Sequence, residues 1–90
     1  MLRRLSLPVV LLIASNLPPA PAGKIYEMWV IPKGGKPVPA GLFQSEPSGA
    51  AMHVQPGPVV ADASLVAVTV EPESGSPQPT TTPFMVATLQ

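Results

Sequence analysis

His53 is the sole histidine of this 90-residue chain and the first place to look for chemistry. With Asp62 and any of seven serines it completes a Ser–His–Asp set on paper. No serine stands in a G-x-S-x-G elbow, the strained strand-to-helix turn that presents such a nucleophile. One histidine without cysteine or a clustered carboxylate pair does not make a zinc site. His53 therefore reads as a polar residue on a strand, at the surface or partly satisfied in the core. Gly34-Gly35-Lys36 has the look of a phosphate loop. That loop needs a glycine five residues before its last one and Ser or Thr after the lysine. Val30 and Pro37 hold those positions, so the segment reads as a hairpin turn with two solvated lysines. Glu27, Glu46, Asp62, Glu71 and Glu73 show no glycosidase or metal spacing and read as solvated strand faces and loops. No catalytic, cofactor-binding or metal-ligating residue is assigned, and the chain is read as non-enzymatic. A small hydrolase built on His53 is the weakest alternative.

Two binding motifs are weighed beside these. Pro18-Pro19-Ala20-Pro21 fits P-x-x-P, the ligand of aromatic-lined grooves. A rigid connector explains it equally well. Tyr26 and Trp29 could form a binding platform, but lone aromatics in an apolar strand are more often core, because each buries a large apolar area.

Bulk composition narrows the class. Five basic and five acidic residues leave no net charge, against a nucleic-acid footprint or a polybasic membrane patch. At 46% hydrophobic and 11% charged, the chain is too apolar to be disordered throughout. It has no cysteine, hence no disulfide framework and no thiolate metal site. The apolar run over residues 5–15 is too short to cross a bilayer as a helix, which takes about 18 residues or more. Behind Arg3 and Arg4, and ahead of Ala20-Pro21-Ala22, it has the form of a signal peptide with a cleavage triplet. It also has the form of a buried strand followed by a rigid turn, and the turn is the favoured reading.

The elements that must position any site are strands. Fourteen prolines, spread along the chain, leave little room for a helix. Residues 65–71 (LVAVTVE) alternate, with Val66, Val68 and Val70 on one face and Ala67, Thr69 and Glu71 on the other. Residues 25–31 (IYEMWVI) read as a central strand, apolar on both faces. Residues 9–14, 38–44, 50–54 and 84–89 complete about six short strands, and Pro39 and Gly41 suggest an edge or a bulge. Residues 72–83 (PESGSPQPTTTP) read as a long extended loop. The fold class predicted is all-β, a small β-sandwich of antiparallel strands with Pro/Gly-rich turns. Residues 1–8 form an N-terminal extension and residues 9–90 the domain.

Several blocks in order carry a resemblance: Tyr26-x-Met28-Trp29-Val30; Pro37-x-x-Ala40-Gly41-Leu42-Phe43; Ala67-Val68-Thr69-Val70-Glu71-Pro72; and Ser76-Pro77-Gln78-Pro79-Thr80. Together they resemble the extracytoplasmic C-terminal domain of the anti-sigma-K factor family. The resemblance spans roughly residues 9–89 and implies a β-sandwich outside a bacterial membrane. It implies a sensor and protease-gating role in an anti-sigma factor that restrains an extracytoplasmic-function sigma factor. The partners implied are a sigma factor, through a cytoplasmic domain not contained in these residues, and a regulatory protease. No nucleic acid and no small-molecule substrate is expected, and no catalytic residue carries over. The motif residues Tyr26, Trp29, Gly41, Leu42, Phe43, Thr69, Glu71, Pro72, Pro77, Pro79 and Thr80 are expected to be structural. These 90 residues contain neither a sigma-binding domain nor a membrane helix. A fragment, a start inside a longer reading frame and a free-standing copy are the readings left open. The alternative function is a secreted or periplasmic β-sandwich binding module with a cleaved signal peptide.

Overall fold

In a computed structural model of the full chain, residues 2–4, 9–56 and 63–88 are described. The described residues form seven strands and no helix. They are β1 (Leu2–Arg4), β2 (Val9–Ala14), β3 (Lys24–Pro32), β4 (Val38–Phe43), β5 (Ala51–Pro56), β6 (Ala63–Pro72) and β7 (Met85–Thr88). They make two antiparallel sheets, a smaller one ordered β1-β2-β5 and a larger one ordered β4-β3-β6-β7. The predicted all-β sandwich is what the chain adopts. Strand β1 lies inside the segment set aside as an extension and pairs with β2, Leu2 opposite Leu12 and Arg4 opposite Val10. Asp62, and the turn after β5, fall outside the described residues.

Strand β3 is central, as its two apolar faces predict. It pairs with β4 on one side and along its whole length with β6 on the other. Side chains alternate across the sheet, so Tyr26, Met28 and Val30 face inward with Val66 and Val68 of β6. Val10 and Leu12 of β2 meet them from the opposite sheet, with Ala51 of β5. The β3–β4 hairpin closes through the predicted PKGG turn, where the N–H of Gly35 donates to the Pro32 carbonyl at 2.9 Å and Gly34 takes a φ of +72°. Strand β4 is an edge strand and is bulged: two residues, Ala40 and Gly41, stand opposite Met28. Gly41 has a φ of +113°, a region that side chains disfavour, which is why a bulge here takes glycine.

The Ala20-Pro21-Ala22 triplet lies in the connection that carries the chain from β2 to β3. That connection is tied at several points. The Ala20 N–H donates to Gln44 Oε1 at 3.0 Å, the Tyr26 hydroxyl donates to the Pro18 carbonyl, and the Leu17 N–H donates to the Gly49 carbonyl at 2.8 Å. His53, on β5, places Nε2 2.7 Å from the Ala40 carbonyl of β4 and stacks on Phe43 at 5.7 Å between ring centroids. It joins the two sheets at one side of the sandwich.

Candidate functional site

The outward face of the larger sheet differs from what alternation alone suggests. Ala67, Thr69 and Glu71 alternate away from the valine face, and Glu71 was expected to meet solvent. Instead all three are buried, and Glu71 is 0% exposed. Glu27, from β3, is 3% exposed and Trp29 is 0% exposed on the same outward face. The reading of Glu27 and Glu71 as solvated carboxylates is therefore corrected. The cause is the segment over residues 73–84, which folds back as a strap over this face; residues 72–83 were expected as a long extended loop.

The strap is held by side chains. Its first residue, Glu73, donates its N–H to the Gly23 carbonyl at 3.1 Å, and the Gly75 N–H turns back onto the Pro72 carbonyl at 2.7 Å. The Ser76 N–H donates to Glu27 Oε1 at 2.8 Å, while the Ser76 hydroxyl donates to Glu71 Oε1 at 2.9 Å. Further on, the Thr80 N–H donates to Glu71 Oε2 at 3.1 Å and the Thr80 hydroxyl donates to Glu71 Oε1. Gln78 reaches the Pro37 carbonyl at 3.0 Å, and the Thr81 hydroxyl reaches the Val70 carbonyl at 2.8 Å. The strap ends where the Phe84 N–H donates to the Val68 carbonyl at 3.1 Å and chain pairing resumes as β7.

Beneath the strap the network continues inward. The Trp29 indole N–H donates to Thr69 Oγ1 at 2.8 Å, and the Thr69 hydroxyl donates to Glu71 Oε2 at 2.6 Å. Glu71 thus receives donors from Thr69 on its own strand and from Ser76 and Thr80 on the strap. A buried charge is tolerated only when it is satisfied in this way. Burial alone would raise the Glu71 pKa, but the hydrogen bonds from Thr69, Thr80 and Ser76 outweigh it and hold the carboxyl below its ordinary value. Glu27 goes the other way. Burial raises its pKa and the nearby Glu71 charge adds to that, while the Ser76 N–H partly offsets both.

The motif residues converge on two places. Trp29, Thr69, Glu71 and Thr80 build the latch just described. Pro72 offers the carbonyl of the turn into the strap, and Leu42 and Pro77 line a cleft between β4 and the strap together with Glu27 and Gly75. Gly41 makes the bulge that ends beside Leu42, and Pro79 sits half-buried in the strap. Tyr26 and Phe43 form the second cluster, stacked at 5.6 Å on the inward face, with Phe84 tilted against Tyr26 at 5.5 Å. Sequence reasoning missed Glu27 and gave Ser76 no role. The signal for Glu27 was present: it is a single carboxylate inside the otherwise apolar run IYEMWVI.

The two sheets and the strap define an all-β domain whose buried polar groups bind its own chain. The chain belongs to the family described as anti-sigma-K factor RskA, C-terminal, whose profile matches residues 4–84. That description is of the C-terminal part of an anti-sigma factor. The match begins ahead of Val9, where the sequence reading set the domain boundary. The chain is also similar to an uncharacterized protein in the phr 5' region of Streptomyces griseus, with 39% identity over 71 residues. That alignment covers 79% of this chain and 29% of the relative, so the chain spans less than a third of the relative's length. No solved structure matches significantly. Among the described residues no helix is long and apolar enough to cross a membrane.

Proposed function

We propose that this chain is the extracytoplasmic part of an anti-sigma factor and that it acts by staying folded. In that setting the domain guards the polypeptide against a regulatory protease, and its loss of structure releases the sigma factor held elsewhere in the whole protein. The observation that carries this reading is the family match over residues 4–84. Physics supplies the mechanism. When opening and closing are fast relative to cleavage, proteolysis tracks the population of open molecules, so the stability of a small domain sets the rate of the signal. A β-domain of this size buries about 60–65% of its unfolded surface and is poised for that use. Its motif residues serve the fold: they make the latch, the bulge and the aromatic stack.

The test uses the whole anti-sigma protein in cells. Val68 is a fully buried core residue whose side chain packs on the inward face, opposite the face that carries the latch. A Val68→Ala substitution in the whole protein is expected to raise transcription from the sigma-dependent promoter. Unchanged transcription, with the variant shown to be less stable in vitro, contradicts the reading.

A further inference from the structure

The strap and the sheet it covers are held together by different kinds of contact. Strands β3 and β6 share a ladder from Lys24–Pro72 to Pro32–Ala63, with one register shift between Ile31 and Pro32, and an inward apolar face. Between Glu73 and Phe84 the described backbone pairing to the sheet face reduces to the two ends of the strap. Its middle is fixed by the side chains of Glu27, Glu71, Gln78 and Thr80. Strand β7, which follows, has four residues and pairs with β6 alone. Its side chains alternate between half-buried and exposed, with Val86 57% exposed. Segments with little apolar burial and few backbone bonds are the ones that open locally at low free-energy cost.

We propose that residues 73–88, the strap together with β7, form a detachable flap latched by Glu71, and that this flap is where a protease first reaches the folded chain. Opening it leaves the β3–β4 and β3–β6 ladders in place, and gives up on the inward face only the contacts of Phe84 with Tyr26 and of Met85 with the core. It uncovers Trp29 and frees the outer edge of β6. It also presents an extended, proline- and threonine-rich segment that no longer touches the sheet. The inference rests on the protease-gating reading above and adds the place where gating begins.

The experiment uses the 90-residue chain with Thr80→Val, which removes the hydroxyl donated to Glu71 and keeps the backbone donor, and with Thr80→Ser as its conservative partner. Each is treated with a trace of a broad-specificity protease, and the first cuts are mapped by mass spectrometry. The first cuts are expected within residues 73–88 in every form. Thr80→Val is expected to be cut about five- to tenfold faster than wild type, the factor for losing one part-buried hydrogen bond. Thr80→Ser is expected to restore the wild-type rate. First cuts in the 44–50 loop, or equal rates for Val and wild type, overturn the flap and leave the gating reading standing. Fast cutting of the flap in vitro, with no change in sigma-dependent transcription when Thr80→Val is placed in the whole protein, keeps the flap and overturns the gating reading.

Discussion

The indole N–H of Trp29 on β3 donates to the hydroxyl of Thr69 on β6 at 2.8 Å, and Thr69 passes its own proton donor to Glu71. A tryptophan with no exposed surface is thereby tied, through one hydroxyl, to the carboxylate that holds the strap. Packing and latch are one unit, and substitutions in either should be felt in both.

Thr69→Val keeps the shape of the side chain and deletes the relay. It leaves the buried Trp29 N–H without an acceptor and removes one donor from Glu71. An unsatisfied buried polar group costs about 1–3 kcal/mol, so chemical unfolding should show a loss of that order with the slope unchanged. A loss near zero would mean that water replaces the hydroxyl and that the relay is not structural.

Trp29→Ala removes the largest fully buried side chain. The cost of such a truncation is about 3–5 kcal/mol, comparable to the whole stability of a small domain. The variant should show no cooperative melt by circular dichroism. A loss below about 1 kcal/mol would place Trp29 at an exposed surface and revive its reading as a binding platform.

Acid and base should act on the two carboxylates in opposite directions. Glu71 has its pKa lowered by folding, so its contribution is fully present above the unfolded value, about pH 4.3, and is lost as pH falls through the folded value below that. Glu27 has its pKa raised by folding, so stability declines as pH rises from about 4.3 through the raised value and then levels off. The stability profile should therefore peak near the ordinary carboxylate range. Glu27→Gln should flatten the upper side and Glu71→Gln the acid side, read from urea midpoints across pH. A wild-type profile level from pH 3 to 8 would contradict both directions.

A chain that begins at Gly23 lacks β1 and β2, two of the three strands of the smaller sheet. It uncovers the inward residues Tyr26, Met28 and Val68 that Val10 and Leu12 pack against. No cooperative urea transition is expected for it. A cooperative transition would show that a chain cut after Ala22 can stand alone, as a secreted module would require.

Much of the fold was legible because period-2 alternation and turn chemistry are local. Residues 25–31 identified a central strand from their two apolar faces, Pro39 and Gly41 marked the bulged edge, and PKGG gave the hairpin. The candidate site was legible only in part. Glu27 and Glu71 looked solvated because alternation assigns faces without saying what covers them. The cover is a contact between residues far apart in sequence, Ser76 on Glu27 and Thr80 on Glu71, and no local pattern encodes it. The family blocks marked Thr69, Glu71 and Thr80 without giving their geometry. Strand β1 was missed because three residues, two of them arginines, carry no alternation to read.

Amide hydrogen exchange at Thr80 tests the central claim most directly, because its N–H has the Glu71 carboxylate as acceptor. In wild type the Thr80 amide should be protected although the residue lies in an exposed, irregular segment. In Glu71→Gln that protection should fall sharply, while the amides of the β3–β6 ladder keep theirs. A Thr80 amide that exchanges in wild type as fast as in an unfolded peptide would contradict a strap latched by Glu71.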